Sequence, residues 1–186
     1  IKRVEDEIAA HGKTHPDVVE AMSRLVRIYN ERGQPSRALP LAAECVALAE
    51  ALFGARDVRI AVPINNLAVA HSKLGNLQEA LALHERGLRI RERAFGPNHS
   101  AVAAVLLNLS TVHLSLADHE SAVSALKRRQ TILEGLHGPN HRAVAQGWSN
   151  LGELLARRDE HARARRFLER SISAWQKSGV SDRGGW

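Results

Sequence analysis

Matching residues recur every forty-two positions along this chain, with no insertion or deletion between them. One such column is apolar and consists of Trp148, Leu106, Ile64 and Met22. Another contains only alanine, at Ala164, Ala122, Ala80 and Ala38. Self-similarity at a fixed period of this length is typical of a solenoid, in which each repeat stacks on its neighbours to bury its apolar face. The sequence therefore predicts a repeat array rather than a domain with one central core.

Glycine marks the phase of the repeats, in a column made of Gly12, Gly54, Gly96 and Gly138. The residues three positions further on are His15, Asp57, His99 and His141. This phase predicts four repeats, over residues 12–53, 54–95, 96–137 and 138–178, the last of which ends in a basic capping helix. Residues 1–11 have the phase of a second helix and are interpreted as the end of a preceding repeat. Residues 179–186 lack periodicity and are predicted to form a flexible tail.

Each repeat has the pattern of two helices. In the first repeat, apolar residues recur at steps of three and four from Val18 to Tyr29, which is the helical period, and Gly33 then ends the pattern. The link to the next helical stretch is about three residues long, which forces the two helices to lie antiparallel. Pro40 and Pro63 fall inside the expected helices, where proline removes a hydrogen bond. We expect a late helix start or a kink at each of these prolines.

The stretch Trp148-x-x-Leu151-Gly152-x-x-Leu155, followed by Ala164, resembles the signature of the tetratricopeptide repeat. The period of forty-two, with Gly-Pro-Asn-His at both 96–99 and 138–141, is similar to the long variety found in kinesin light chains and nephrocystin-3. We therefore expect an all-α fold, a right-handed superhelical solenoid of antiparallel helix pairs. The resemblance implies a scaffold for protein–protein interaction.

The net charge of +6 is unevenly distributed. Residues 1–120 carry 14 Lys and Arg against 14 Asp and Glu, whereas residues 121–186 carry 12 against 6. Charge clustered in this way either attracts an acidic partner or solvates a terminal face. The whole excess therefore belongs to the last third of the chain.

Several features of the sequence point to an intracellular, cytoplasmic protein. No apolar run approaches the length of about twenty residues that spans a membrane, and the first residues lack the apolar stretch of a signal peptide. The chain contains one cysteine, Cys45, which excludes an internal disulfide framework and fits a reducing compartment.

The best candidate for a functional surface is a column of polar residues one step from the buried columns of each first helix. Stacked helix pairs build a superhelix whose concave wall is lined mainly by first helices, so this column is expected at the edge of the groove. An amide both donates to and accepts from the backbone of an extended peptide, and nearby cations bind acidic groups. By resemblance, tetratricopeptide arrays use asparagines and basic residues at this position to grip peptides. The predicted peptide-binding residues are Arg24, Arg27, Asn66, Lys73, Asn108, Asn150 and Arg157.

Three alternatives stay open for these residues and for the array. In the first alternative, the asparagines hydrogen-bond between adjacent helices and order the superhelix, a role that is compatible with peptide binding. In the second, the array regulates an effector domain outside this sequence. In the third, the basic last third of the chain, with Lys127, Arg128 and Arg129, binds nucleic acid. This alternative is disfavoured because aromatic residues are only 4% of the chain and do not interleave with the basic residues.

No motif for catalysis, a cofactor or a metal is apparent. Cys45 has no matched base in its column, and no phosphate-binding glycine loop occurs. His137 and His141 have a spacing that suits metal ligands, but Gly138-Pro139 is expected to interrupt the helix that would bring their rings together. The sequence therefore predicts a non-enzymatic protein without cofactor or metal, whose partner is a protein or peptide, with acidic peptides among the candidates, and it does not indicate an oligomeric state.

Overall fold

The computed structural model describes residues 2–12 and 14–181, and these form α-helices joined by short turns. The chain divides into two compact units, Ile1–Pro97 and Asn98–Trp186. In the described part of the first unit the helices are α1 Lys2–His11, α2 Pro16–Glu31, α3 Pro35–Phe53, α4 Ala61–Lys73 and α5 Leu77–Phe95, with a 3₁₀ turn at Val58–Ile60. In the second unit they are α6 Ser100–Ser115, α7 His119–His137, α8 Arg142–Ala156 and α9 His161–Ser181.

The end of α9 differs from the sequence prediction. The helix continues through residues 179–181, which the loss of periodicity had assigned to the tail. Once a helix has formed, each added residue gains one hydrogen bond, so the helix extends beyond its last buried position. Residues 182–186, which complete the predicted tail, lie outside the described residues, as do Ile1 and Lys13.

Consecutive helices pack in pairs, as the sequence predicts. Within the first unit α2 packs on α3 and α4 on α5; within the second, α6 packs on α7 and α8 on α9. The column of Met22, Ile64, Leu106 and Trp148 is buried, with no member more than 5% exposed. The alanine column, from Ala38 to Ala164, is at most 3% exposed. The core therefore runs between the two helices of each pair.

The residues three positions after the marker glycines cap the helical turn that follows them, which is the start of α2, α6 and α8 in three repeats and the 3₁₀ turn at Val58–Ile60, before α4, in the second repeat. Side chains of these residues accept hydrogen bonds from the backbone N–H two positions later, at 3.3 Å for His15, 2.8 Å for Asp57, 3.1 Å for His99 and 3.2 Å for His141. The first N–H groups of a helix have no partner within the helix, so each cap satisfies one of them.

The two discordant prolines have different outcomes. Pro63 is the third residue of α4, which begins late, after the 3₁₀ turn, so the proline stays within the first turn. Pro40, by contrast, lies inside α3, and the helix continues through it without a break. The prediction of a late start is confirmed at Pro63, and Pro40 is accommodated within a continuous helix.

The turn between the two helices of each pair has a left-handed residue at one fixed place in the repeat. Gly33 and Gly75 have φ of 68° and 82°, and the equivalent Ala117 and Asp159 have φ of 59° and 58°. A residue with a Cβ is strained in this region by about 1–2 kcal/mol, whereas glycine is not. The third and fourth repeats therefore carry a local backbone cost that the first two avoid.

In the second unit, the side chain of Trp148 joins three helices. Its indole ring stacks on Phe167 of α9 with the ring centroids 5.2 Å apart, and its Nε1 donates to Glu134 of α7 at 2.8 Å. The guanidinium of Arg170 lies 4.1 Å from the centroid of the same indole and donates to Glu134 at 3.0 Å. This tryptophan thus fixes α8 between its two neighbours.

The first unit buries a titratable imidazole. His84 in α5 is 2% exposed, and burial, with a smaller effect from the charge of Arg91, lowers its pKa to about 4. The equivalent residues in the later repeats are Leu126 and Leu168. A position that holds leucine in the later repeats therefore holds a neutral imidazole here.

The left-handed turn column generates a reciprocal prediction. We expect Ala117→Gly to raise the free energy of unfolding by about 0.5–1 kcal/mol, because glycine relieves the positive φ and loses part of the gain to its greater freedom in the unfolded chain. Gly75→Ala should lower it by about 1 kcal/mol through the backbone alone, since a Cβ there meets no atom within 4 Å. Urea unfolding at 25 °C measures both free energies. A shift in the same direction for both variants would contradict the claim that this turn position favours glycine.

The burial of His84 generates a prediction about pH. The folded-state pKa of this histidine lies below that of the unfolded chain, about 6.5, so the unfolded state takes up the proton first as the pH falls. Stability is therefore complete above about pH 6.5 and declines down to about pH 4. Between pH 7.5 and 4.5, protonation of this one histidine should lower the free energy of unfolding by about 2–3 kcal/mol.

His84→Leu installs the side chain of the equivalent positions and removes this group while leaving every other titration in place. Urea unfolding of both proteins at pH 7.5 and pH 4.5 gives the comparison. On acidification, the free energy of unfolding should fall by about 2–3 kcal/mol less in the variant than in the parent. An identical loss in both proteins would show that His84 is protonated at a similar pH in the folded and unfolded states.

Candidate peptide-binding surface

Asn66 lies in the packed layer between two first helices. Its side chain is 7% exposed, and its Nδ2 donates to the carbonyl oxygen of Ser23 in α2 at 3.0 Å. In return, Nδ2 of Asn30 in α2 donates to the backbone oxygen of Asn66 in α4, also at 3.0 Å. The two amides form a reciprocal bridge, which we call the amide clasp, between α2 and α4. Asn66 therefore makes the inter-helix hydrogen bond that the sequence left open as an alternative to ligand binding.

The other two asparagines of the column have different surroundings. Asn108 in α6 is half-buried and also makes polar contacts, whereas Asn150 in α8 is exposed. The Oδ1 of Asn150 accepts a hydrogen bond from Nε2 of Gln146, one turn earlier, at 2.8 Å. Equal steps in sequence thus give one buried, one half-buried and one exposed amide.

The basic residues predicted for the surface of the first unit are exposed. Arg24 pairs with Glu20 and Arg27 pairs with Glu31 at 2.9 Å, each through one turn of α2. Lys73 is the last residue of α4 and is also exposed. Exposed pairs of this kind contribute little to stability and are readily exchanged for a partner's carboxylate. The surface of α2 thus presents two cations flanked by two anions.

Arg157, the predicted basic residue of the second unit, is exposed at the end of α8. Arginines close to it in sequence are instead held by carboxylates. Arg158 and Arg163 bind Glu120 and Glu160, Arg165 binds Glu169 at 2.7 Å, and Arg170 binds Glu134. Much of the positive charge that suggested nucleic acid is therefore engaged within the unit.

The histidine pair and the cysteine take structural positions. Helix α7 ends at His137, as the Gly138-Pro139 pair predicted, but the rings of His137 and His141 come together without it, stacked with centroids 4.7 Å apart. The Nδ1 of His141 accepts the capping hydrogen bond of α8, and among residues 2–12 and 14–181 no group of three or more His, Cys, Asp or Glu suits a metal ion. Cys45 is buried, and this burial raises the pKa of its thiol, which keeps it in the poorly nucleophilic form.

Two contacts were not predicted from the sequence: the hydrogen-bond partners of Asn66, and an ion pair that recurs between second helices. The available signal for the clasp was Asn30, an amide on the helical face of α2. The equivalent residues in the other repeats, Ser72, Leu114 and Ala156, have no side-chain amide to make the same hydrogen bond. The second contact is an ion pair between second helices: Arg86 lies 2.5 Å from Glu50, and Arg170 lies 3.0 Å from Glu134, two repeats later in both columns. Aligned Glu and Arg columns in the repeat were the available signal.

None of the helices in the described part of the chain combines the length and apolar character needed to cross a membrane.

Two models of the tetratricopeptide repeat match the chain. One matches residues 59–135 and the other matches residues 18–58 and 149–178, so that most of the sequence falls in matched ranges. Comparison with curated protein sequences gives no match. Tetratricopeptide repeats are generally protein–protein interaction modules.

Solved structures with similar folds are found at low sequence identity. BtubC (BKLC) from P. vanneervenii is 21% identical, with a TM-score of 0.78 over 94% of this chain and 68% of that one. A kinesin light chain-like protein from Podosopora anserina, with nearly identical TPR-like repeats, is 21% identical, with a TM-score of 0.77 over 88% of this chain and 78% of that one. MamA is 16% identical, with a TM-score of 0.65 over 95% and 87%. With its paired helices and matched repeats, the chain belongs to the tetratricopeptide repeat family, and its fold is similar to that of kinesin light chain-like members.

Proposed function

We propose that this chain is a non-catalytic scaffold that binds a peptide, or an extended segment of a protein partner, in a concave groove along the first helices of its repeats. The observation that supports this most is the exposure of polar and basic side chains on those helices, in a family whose repeats generally bind proteins. Arg24 and Arg27 on α2 and Asn150 on α8 are the clearest examples. A ligand gains both directional hydrogen bonds and charge from such a surface.

The residues of the proposed surface divide into two roles. Arg24, Arg27, Lys73 and Arg157 supply cations for acidic side chains or a terminal carboxylate of the ligand, which favours an acidic peptide. Asn108 and Asn150 supply amides for the ligand backbone. Asn66 acts as a positioning residue, because its clasp holds the backbone of α2 at Ser23, next to Arg24.

A displayed random-peptide library, selected on the full chain, provides a defined ligand for the test. We expect the selected peptide to bind at least about tenfold more weakly to Arg24→Gln/Arg27→Gln, because two charge-assisted contacts are lost. Asn150→Ala should weaken binding by a smaller factor. Isothermal titration calorimetry measures each affinity, and unchanged binding in both variants would contradict the proposed surface.

Asn66→Ala separates the positioning role from direct contact. Loss of a buried amide should lower the free energy of unfolding by about 1–2 kcal/mol, whereas Asn150→Ala should change it by less than about 0.5 kcal/mol. Asn66→Ala is thus expected to lower stability more than Asn150→Ala does, and to lower affinity less. If Asn66→Ala left stability intact and abolished binding, Asn66 would instead be a direct ligand contact.

A further inference from the structure

A cavity of about 550 Å³ in the first unit lies between the loop that opens the second repeat and the last turns of α5. Its lining contains four arginines, Arg56 from the loop and Arg86, Arg89 and Arg93 from α5, with Ala55 and Ile90 completing the wall. The cavity belongs to a loop and a second helix, so it is distinct from the surface proposed on the first helices. Guanidiniums gathered around one open cavity create a positive local potential, to the extent that carboxylates do not compensate them.

One of these arginines is a fixed part of the wall. The guanidinium of Arg86 lies 2.5 Å from Glu50 and donates to the carbonyl oxygen of Ala55 at 2.9 Å. These bonds neutralise its charge and hold the loop against α5. The cavity is therefore formed in advance and does not depend on a ligand to assemble it.

The remaining charge of the cavity is largely uncompensated. Asp57, next to Arg56 in sequence, is bound by Arg59 at 2.9 Å, and this hydrogen bonding lowers the pKa of the Asp57 carboxyl to about 2. Arg89 has only a distant, exposed contact with Glu85, at 3.8 Å. For Arg56 and Arg93 the structure records no ion pair among residues 2–12 and 14–181. Two full positive charges and a third weakly shared one thus face the cavity.

The other repeats fold without this cluster. The positions equivalent to Arg56 are Asn98 and Asn140, those equivalent to Arg89 are Thr131 and Ser173, and those equivalent to Arg93 are Gly135 and Lys177. Because the later repeats form the same helices with these residues, the fold does not require the arginines. Their concentration in the second repeat indicates a ligand rather than a packing constraint.

The charge of the cavity matches one common group. A phosphorylated serine or threonine carries a charge of about −1.5 to −2 and three acceptor oxygens, and guanidinium forks bind such oxygens two at a time. A single carboxylate would leave at least one of the exposed arginines unmatched. The open mouth admits a side chain while the rest of a polypeptide lies outside.

We propose that this arginine cavity, formed by Arg56, Arg89 and Arg93, binds a phosphorylated serine or threonine side chain of a protein partner. That the phosphate is presented by a polypeptide rests on the proposed protein-binding function. The site itself is separate from the groove residues, so one surface can be disabled without the other.

The test uses fluorescence anisotropy on the full chain with a labelled peptide, Gly-Ala-phosphoserine-Ala-Gly, and the same peptide without phosphate. The phosphopeptide should bind at least about tenfold more tightly, and Arg56→Asn/Arg93→Gln should remove at least about tenfold of that affinity. Asn is the residue that two other repeats carry in place of Arg56, and both arginines are exposed, so an unchanged melting temperature is expected. Raising the salt concentration should weaken the binding, because the charges are open to solvent.

Arg32→Gln/Arg37→Gln is the matched control, since it removes the same charge from two exposed arginines of the same unit that belong to neither proposed site, and it should change phosphopeptide affinity by less than about twofold. An equal loss in the control would overturn the proposal in favour of a non-specific charge effect, as would equal binding of the unphosphorylated peptide. If inorganic phosphate competed with the same affinity as the peptide, the site would be one for the free anion and not for a partner protein. Failure of the library-selected peptide to depend on Arg24 and Arg27 would refute only the groove.

Discussion

The close approach of neighbouring helices is the constraint on which the rest of this structure depends. A fixed position of each first helix holds Val26, Ala68, Ser110 or Gly152, and its counterpart in the second helix is always alanine; all are buried. In the second unit α8 has a glycine on each side: a Cβ on Gly152 would lie 2.7 Å from Cγ of Leu168, and one on Gly147 would overlap Oε1 of the buried Gln130. Small residues at these points allow the helices to approach closely enough to bury the larger apolar columns.

The sequence predicts the backbone of this protein better than its surface, and the reason is physical. The helical period and the apolar column depend on the residue itself and on its own helix pair, so Ile64 and Trp148 are correctly predicted to be buried. The environment of a polar side chain depends on its neighbours, which the repeat does not copy. Asn66 receives a return hydrogen bond on its backbone oxygen because Asn30 lies opposite, and no later repeat has an asparagine equivalent to Asn30. The sequence therefore identified the asparagine column but not the different surroundings of its members.

The same distinction explains how a regular fold acquires specific surfaces. Contacts that recur at the repeat period, such as Glu50 with Arg86 and Glu134 with Arg170, hold second helices together. Residues that break the period, such as Arg56 in place of asparagine, take no part in these recurring contacts. Departures from the repeat are thus positions that can vary without disturbing this packing, and Arg56, Arg89 and Arg93 of the proposed cavity stand at such positions.

The most direct test of the central claim compares two glycine-to-alanine changes in the second unit. Gly135 lies inside α7 with no atom within 4 Å of a new Cβ, so Gly135→Ala should raise the free energy of unfolding by about 0.5–1 kcal/mol through helix propensity alone. Gly152→Ala gains the same propensity but forces its methyl group against Leu168 and the carbonyl oxygen of Ala164, so urea unfolding should show a loss of about 1–3 kcal/mol. If Gly152→Ala proved as stabilising as Gly135→Ala, close approach of α8 and α9 would not be what holds this unit together.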